Sequence, residues 1–136
     1  MQSKSQVSVE YMLVMGFAAV ITLPLLIIYY TYTSDSSTSV AIGQATQIAR
    51  KIVDASESVY YLGKPSQTTL KFNFPDNIYS TNLSSREVVF KMKVKGSVTD
   101  VVQVSSVNMS GSLPIKSGIH VITIKADDGF VQILSN

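Results

Sequence analysis

A few residues in this 136-residue chain have side chains suited to chemistry, and each asks for a different kind. Glu10 sets a carboxylate directly against a long apolar run in the stretch SQVSVEYMLVMGF, Ser5 to Phe17, with the polar Gln6 and Ser8 just before it. A carboxylate costs about 2.5 to 3.5 kcal/mol at the centre of a membrane helix and less near its edge, so this one raises the question of what it is for. His120, the sole histidine, lies in an apolar strand pattern and reads as structural rather than catalytic. Asp127 and Asp128 place two carboxylates on one tight turn, too few for a cation site, and turn formation accounts for them. Asn82-Leu83-Ser84 and Asn108-Met109-Ser110 are acceptor triplets for N-glycosylation, expected in loops.

Other chemistries lack their residues. There is no G-x-S-x-G, phosphate-binding loop, H-E-x-x-H or pair of catalytic acids. Zero cysteines remove disulfides, thiol catalysis and thiolate metal sites together. A net charge of +2, with lysines spread along the chain, offers no footprint for nucleic acid. The expectation is a non-enzymatic protein with no cofactor and no metal.

The elements that position these residues begin with a membrane segment. The chain is 46% hydrophobic but only 15% charged, and the excess is local: Met12 to Tyr32 carries no charge. At 1.5 Å per helical residue this run crosses a hydrocarbon layer of roughly 30 Å. Glu10 falls within the first turn of such a helix, where the dipole favours an anion by roughly 0.3 to 1 kcal/mol. Lys4 precedes the run, whereas Asp35 is the first charge after it and Arg50 the first basic residue, so the N-terminus is expected in the cytoplasm and the rest outside. Tyr29, Tyr30 and Tyr32 suit the outer headgroup level. No small-residue cleavage site follows the run; polar residues before it, with Ser5 ahead of Gln6, suggest a cut on the cytoplasmic side that leaves the helix attached. Pro24 lacks an N–H and crowds the carbonyl of Val20, so a kink or weakened turn is expected there. Gly16, Ala18 and Ala19 permit close approach of helices.

Thr31 to Ser39, TYTSDSSTS, reads either as a short linker or as a soft stretch of one continuous helix. Beyond it Ala41, Ala45, Ile48, Ala49, Ile52, Val53, Val59 and Tyr60 recur at helical spacing, opposite Gln44, Gln47, Arg50, Lys51, Asp54 and Glu57. This amphipathic helix, within residues 34–63, is stopped by Gly63 and Pro65. From Thr68 the period becomes two: Leu70, Phe72 and Phe74 alternate with Lys71 and Asn73, and Val88, Phe90, Met92 and Val94 with Lys91, Lys93 and Lys95, a lysine row suited to guarding an edge. A turn at Gly96-Ser97 sets Met92 opposite Val101 and Lys93 opposite Asp100; a type I′ turn at Asp128-Gly129 pairs Ala126 with Val131 and Ile124 with Ile133. Between the hairpins a short extended piece is expected around Leu113 to Ile115. The fold class is α+β: a long N-terminal hydrophobic and amphipathic helix followed by a small antiparallel sheet of four to six strands, packed on the amphipathic half.

Gln6-Val7-Ser8-Val9-Glu10-Tyr11 resembles the Q-x-S-x-E-Y processing sequence of archaeal type IV pilins with class III signal peptides, and the order of leader, apolar helix and β-rich head extends the likeness along the chain. The resemblance implies a leader of residues 1–5, cut between Ser5 and Gln6 by a prepilin peptidase, a filament-core helix over 6–33 and an extracellular head over 64–136. It implies that Glu10, with Gln6 and Tyr11 beside it, neutralises the terminal amine of a neighbouring subunit. It further implies self-association into an adhesive surface filament, an assembly platform protein, a cytoplasmic ATPase and glycosylation at Asn82 or Asn108. Ser5 stands where glycine or alanine is more usual in that family, and the leader holds a single basic residue. The alternative is a membrane-anchored accessory or minor pilin whose head binds the cell envelope or a motility filament without polymerising.

Overall fold

A computed structural model describes the backbone from Gln2 to Asn136 except Lys95, and the side chains except those of residues 1–6, 34–36 and 95. The first element is one helix, α1, Gln2–Leu62. It remains helical through Thr31 to Ser39, where Thr31 donates to the Ile27 carbonyl and Thr33 to that of Tyr29, both at 2.9 Å. The α-helical assignment is also unbroken across Pro24. Because α1 begins at Gln2 and its first turn holds no acid, Glu10 lies past the reach of the N-terminal dipole in this chain, contrary to the expectation from sequence. At the other end Gly63 takes φ of 71° and its N–H reaches the carbonyls of Val59 and Tyr60, closing the helix as a left-handed cap.

The chain divides into two compact units, Met1–Ser37 and Thr38–Asn136. In the second unit, among the described residues, seven strands follow α1: β1 Gln67–Phe74, β2 Ile78–Ser84, β3 Glu87–Val94, β4 Ser97–Val104, β5 Met109–Gly111, β6 Gly118–Ala126 and β7 Val131–Ser135. They form two sheets rather than the one expected, ordered β1-β6-β7-β5 and β2-β3-β4. All pairings are antiparallel except β5 with β7, so the first sheet is mixed. One buried cluster joins Ala45, Ile48, Ala49, Ile52, Val53 and Val59 of α1 to the inner faces of both sheets. Phe74 of β1 meets Phe90 of β3 edge to face at 5.8 Å, bridging the two sheets at its centre.

Several sequence readings shift. Ser97 already pairs with Val94, so the turn is not Gly96-Ser97, and Phe90 rather than Met92 faces Val101 and Lys91 rather than Lys93 faces Asp100. Lys91 and Lys93 sit on the central strand of their sheet, not on an edge; Lys95 lies outside the described residues. The β6–β7 register is as expected, with Ala126 opposite Val131 and Ile124 opposite Ile133. Its turn is not type I′, since Gly129 has φ of 80° but Asp128 does not share a positive φ. The extended piece after β4 is Met109–Gly111, while Leu113 is buried in a loop.

Candidate assembly site on the apolar helix

From Val7 to Tyr32 every large apolar side chain of α1 is between 47% and 77% exposed. The reason is compositional. An amphipathic helix hides one stripe and wets the other, whereas this stretch is apolar on all sides and has no polar face to turn outward. It is long and apolar enough to cross a membrane. Glu10 and Tyr11 are exposed on this segment, and Gly16, Ala18 and Ala19 are exposed among its larger neighbours. Thr22, Leu25, Leu26, Ile28, Tyr29 and Tyr32 line a shallow apolar groove. The backbone of Ser5 and Gln6 belongs to α1; their side chains, where cleavage was expected, lie outside the described residues.

In the head, two polar clusters hold the helix to the strands. Glu57, assigned to the outer face of its helix by periodicity, instead accepts from the Ser106 N–H and Ser106 hydroxyl, both at 2.9 Å, and from the Ser105 hydroxyl at 3.5 Å. The Ser106 N–H, followed by the hydroxyls, holds its carboxyl below the ordinary glutamate range. Just past the helix, the Lys64 ammonium meets both Asp127 and Asp128, the latter at 2.7 Å. Its hydrogen bond to Asp127 lowers that carboxyl and raises the lysine. The two aspartates therefore engage a cation, but it belongs to the protein itself. Neither cluster was visible in the sequence, because partners 49 and 64 residues apart leave no local pattern.

The remaining candidates occupy separate places. His120 sits on β6 with its ring edge-to-face against Phe74 at 5.5 Å, its Nε2–H donating to the Lys116 carbonyl at 2.9 Å. Asn82 is exposed on strand β2 rather than in a loop. Asn108 is exposed between β4 and β5, where its Oδ1 accepts from Arg86 Nε at 3.3 Å. Among the described residues no group of three or more His, Cys, Asp or Glu could hold a metal ion. Comparison with protein-family models, with curated proteins and with solved structures finds no match to this chain.

Proposed function

We propose that this chain is a structural subunit of a type IV pilus-like surface filament, held in the membrane by α1 and cut before Gln6 when it is assembled. The observation that carries the reading is the all-round exposure of α1 from Val7 to Tyr32, on a chain whose other unit already has a closed core. Such a surface needs lipid or other copies of itself to cover it. The Q-x-S-x-E-Y sequence ahead of it, with Glu10 exposed, adds the chemistry for a change of cover: a carboxylate near the membrane edge gains from a neighbour's amine. Removing residues 1–5 also makes Glu10 the fifth residue of the helix, close to the positive end of its dipole. The head would then lie on the outside of the fibre, where adhesion and any glycan at Asn82 or Asn108 would be displayed.

Mass spectrometry of the native chain tests the cut: a mature N-terminus at Gln6 supports it, and an intact Met1 leaves an ordinary anchor. Shearing cells and identifying the major component of the released fraction tests assembly. A chain that stays wholly with the membrane when filaments are removed is an accessory, and the subunit reading fails. Glu10→Ala is expected to abolish or strongly slow filament formation while leaving membrane insertion intact.

A further inference from the structure

Helix α1 and strand β1 bring together five polar side chains that the protein itself does not use. Gln44, Gln47 and Lys51 stand at positions i, i+3 and i+7, one stripe of α1, and Lys71 and Asn73 are alternate residues on one face of β1. All five are exposed, and all line one open cleft of about 250 Å³ within the second unit. Strand β1 ends its sheet, so the cleft runs along a sheet edge beside the helix. Its other lining residues, Ile48 and Phe72, are buried, so what it offers to solvent is polar.

Among the described residues none of these five side chains has a hydrogen bond or an ion pair within the protein. Lys64 gives the contrast: where the head uses a lysine for itself, Asp127 and Asp128 meet it. Lys51 and Lys71 have no acid among the residues lining their cleft, and Asp54 and Asp76, the acids nearest to them along the chain, pair with neither. Two ammonium groups on one cleft set up a positive potential that a bound anion relieves. The amides narrow the chemistry further. Each carries a carbonyl acceptor beside its NH₂ donors, and a fully ionised inorganic anion has no proton for that carbonyl, whereas a hydroxyl serves both. Size adds a limit, since sites for drug-sized ligands occupy roughly 300 to 1,000 Å³ and this cleft holds a single small unit.

We propose that this cleft binds an acidic saccharide, a uronate-type residue whose carboxylate lies between Lys51 and Lys71 and whose hydroxyls exchange hydrogen bonds with the amides of Gln44, Gln47 and Asn73. The site goes beyond the filament reading and does not depend on it, because a tethered accessory would carry the same head. A single exposed site of this kind binds weakly, and many copies on one surface raise the avidity for a glycan that repeats the same unit.

The probe is glucuronate, with glucose and inorganic sulfate as the separate halves of its chemistry. The full chain, in micelles of a sugar-free non-ionic detergent, would be brought to equilibrium by dialysis against each radiolabelled compound. Glucuronate is expected to bind saturably and more tightly than either glucose or sulfate. Lys51→Gln and Lys71→Gln should each weaken it by about two- to fivefold, the span of an exposed ion pair. Lys51→Arg and Lys71→Arg keep the charge and should retain binding, as should Lys93→Gln, which removes an exposed charge from β3 of the other sheet. All these lysines are exposed, so the variants should melt like the parent, and a loss of binding then belongs to the cleft rather than to the fold. Sulfate bound as tightly as glucuronate would show a general anion site and overturn the saccharide assignment. An absence of saturable glucuronate binding, or binding unchanged when Lys51→Gln and Lys71→Gln are combined, would overturn the proposal outright.

Discussion

Replacing Gly111 by alanine should disrupt the smallest strand in the head, and the structure fixes how. Gly111 has φ of 137°, and a Cβ placed on it would lie 1.9 Å from the Ile133 carbonyl oxygen, 2.8 Å from its carbon and 3.1 Å from its nitrogen. All three are backbone atoms of β7, so no side chain can swing aside. The strain is relieved only if β5 moves off β7, where Met109, Ser110 and Gly111 pair with Val131, Gln132 and Ile133. That movement puts at risk the Val131 N–H bond to the Asn108 carbonyl at 2.8 Å and the Ser112 N–H bond to the Ile133 carbonyl at 3.4 Å. Two bonds at a net of about 1 kcal/mol each, with about 1 to 2 kcal/mol of backbone strain, give a loss of about 3 to 4 kcal/mol. For a unit of about a hundred residues this is a fall in Tm of roughly 12 to 30 °C. Gly43→Ala is the matched control: nothing lies within 4 Å of its Cβ position, it is on the exposed side of α1, and alanine there should stabilise by about 0.5 to 1 kcal/mol. Both variants would be melted as full chains in detergent micelles, following near-ultraviolet circular dichroism of the tyrosines. A Gly111→Ala chain melting within about 3 °C of the parent would show that β5 is not held against β7 as described, and the reasoning would fail.

Three further outcomes follow from the head. Glu57→Gln should cost about 1 kcal/mol in urea unfolding at neutral pH, because a charged acceptor of the Ser106 N–H becomes a weaker one. The folded carboxyl is lowered, so its contribution is complete above the ordinary value of 4.5 and is lost as pH falls through the folded value; the variant should show a flatter decline over that acidic range, and an identical pH profile would contradict the clamp. Lys64→Met should destabilise slightly at low ionic strength, with the deficit shrinking in 1 M salt where the Debye length is about 3 Å, and a deficit independent of salt would argue against the ion pairs as its source. Ile52→Ala, at a fully buried position, should cost about 2 to 5 kcal/mol, whereas the exposed Lys51→Ala beside it should stay within about 0.5 kcal/mol, as read from denaturant midpoints.

What the sequence revealed depended on whether the deciding interaction was local. The helical period from Ala45 to Val59 and the alternation in β1, β3 and β6 were legible, because burial of one face imposes a pattern on neighbouring residues. Strand β2 was missed since its register shifts between Ile78 and Ser80, which breaks the alternation, and its large exposed side chain, Tyr79, falls at that irregularity. Strand β5 is only three residues long and exists through its pairing with β7, which no window of that size can signal. The turn between β3 and β4 was misplaced for a different reason. The move shifts the register by two, and a shift of two leaves every side chain on its face, so Phe90 and Met92 satisfied Val101 equally well. Helix continuity through Thr31 to Ser39 was left open because Ser and Thr have weak intrinsic helix propensity, which does not decide between a linker and a continuous helix.

The candidate site was legible for a related reason: it is written in consecutive residues. The buried cluster draws on α1 from Ala41 to Tyr60, and the exposed residues before it contribute nothing to that core. Under the filament reading, what surrounds Val7 to Tyr32 could therefore change without loss of any residue from that core. Lipid is as apolar as leucine, so moving Leu23, Leu25 or Ile27 from acyl chains to a neighbouring helix yields little from the hydrophobic effect itself. Selection between the two environments must come from groups that the two treat differently. Glu10 is the one Asp, Glu, Lys or Arg between Val7 and Tyr32, and under the filament reading a neighbour's amine is available to it in a fibre and absent in lipid. Under the filament reading a single carboxylate thus carries more of the choice between membrane and fibre than any one of the large apolar residues around it, even though those residues supply nearly all of the contact area.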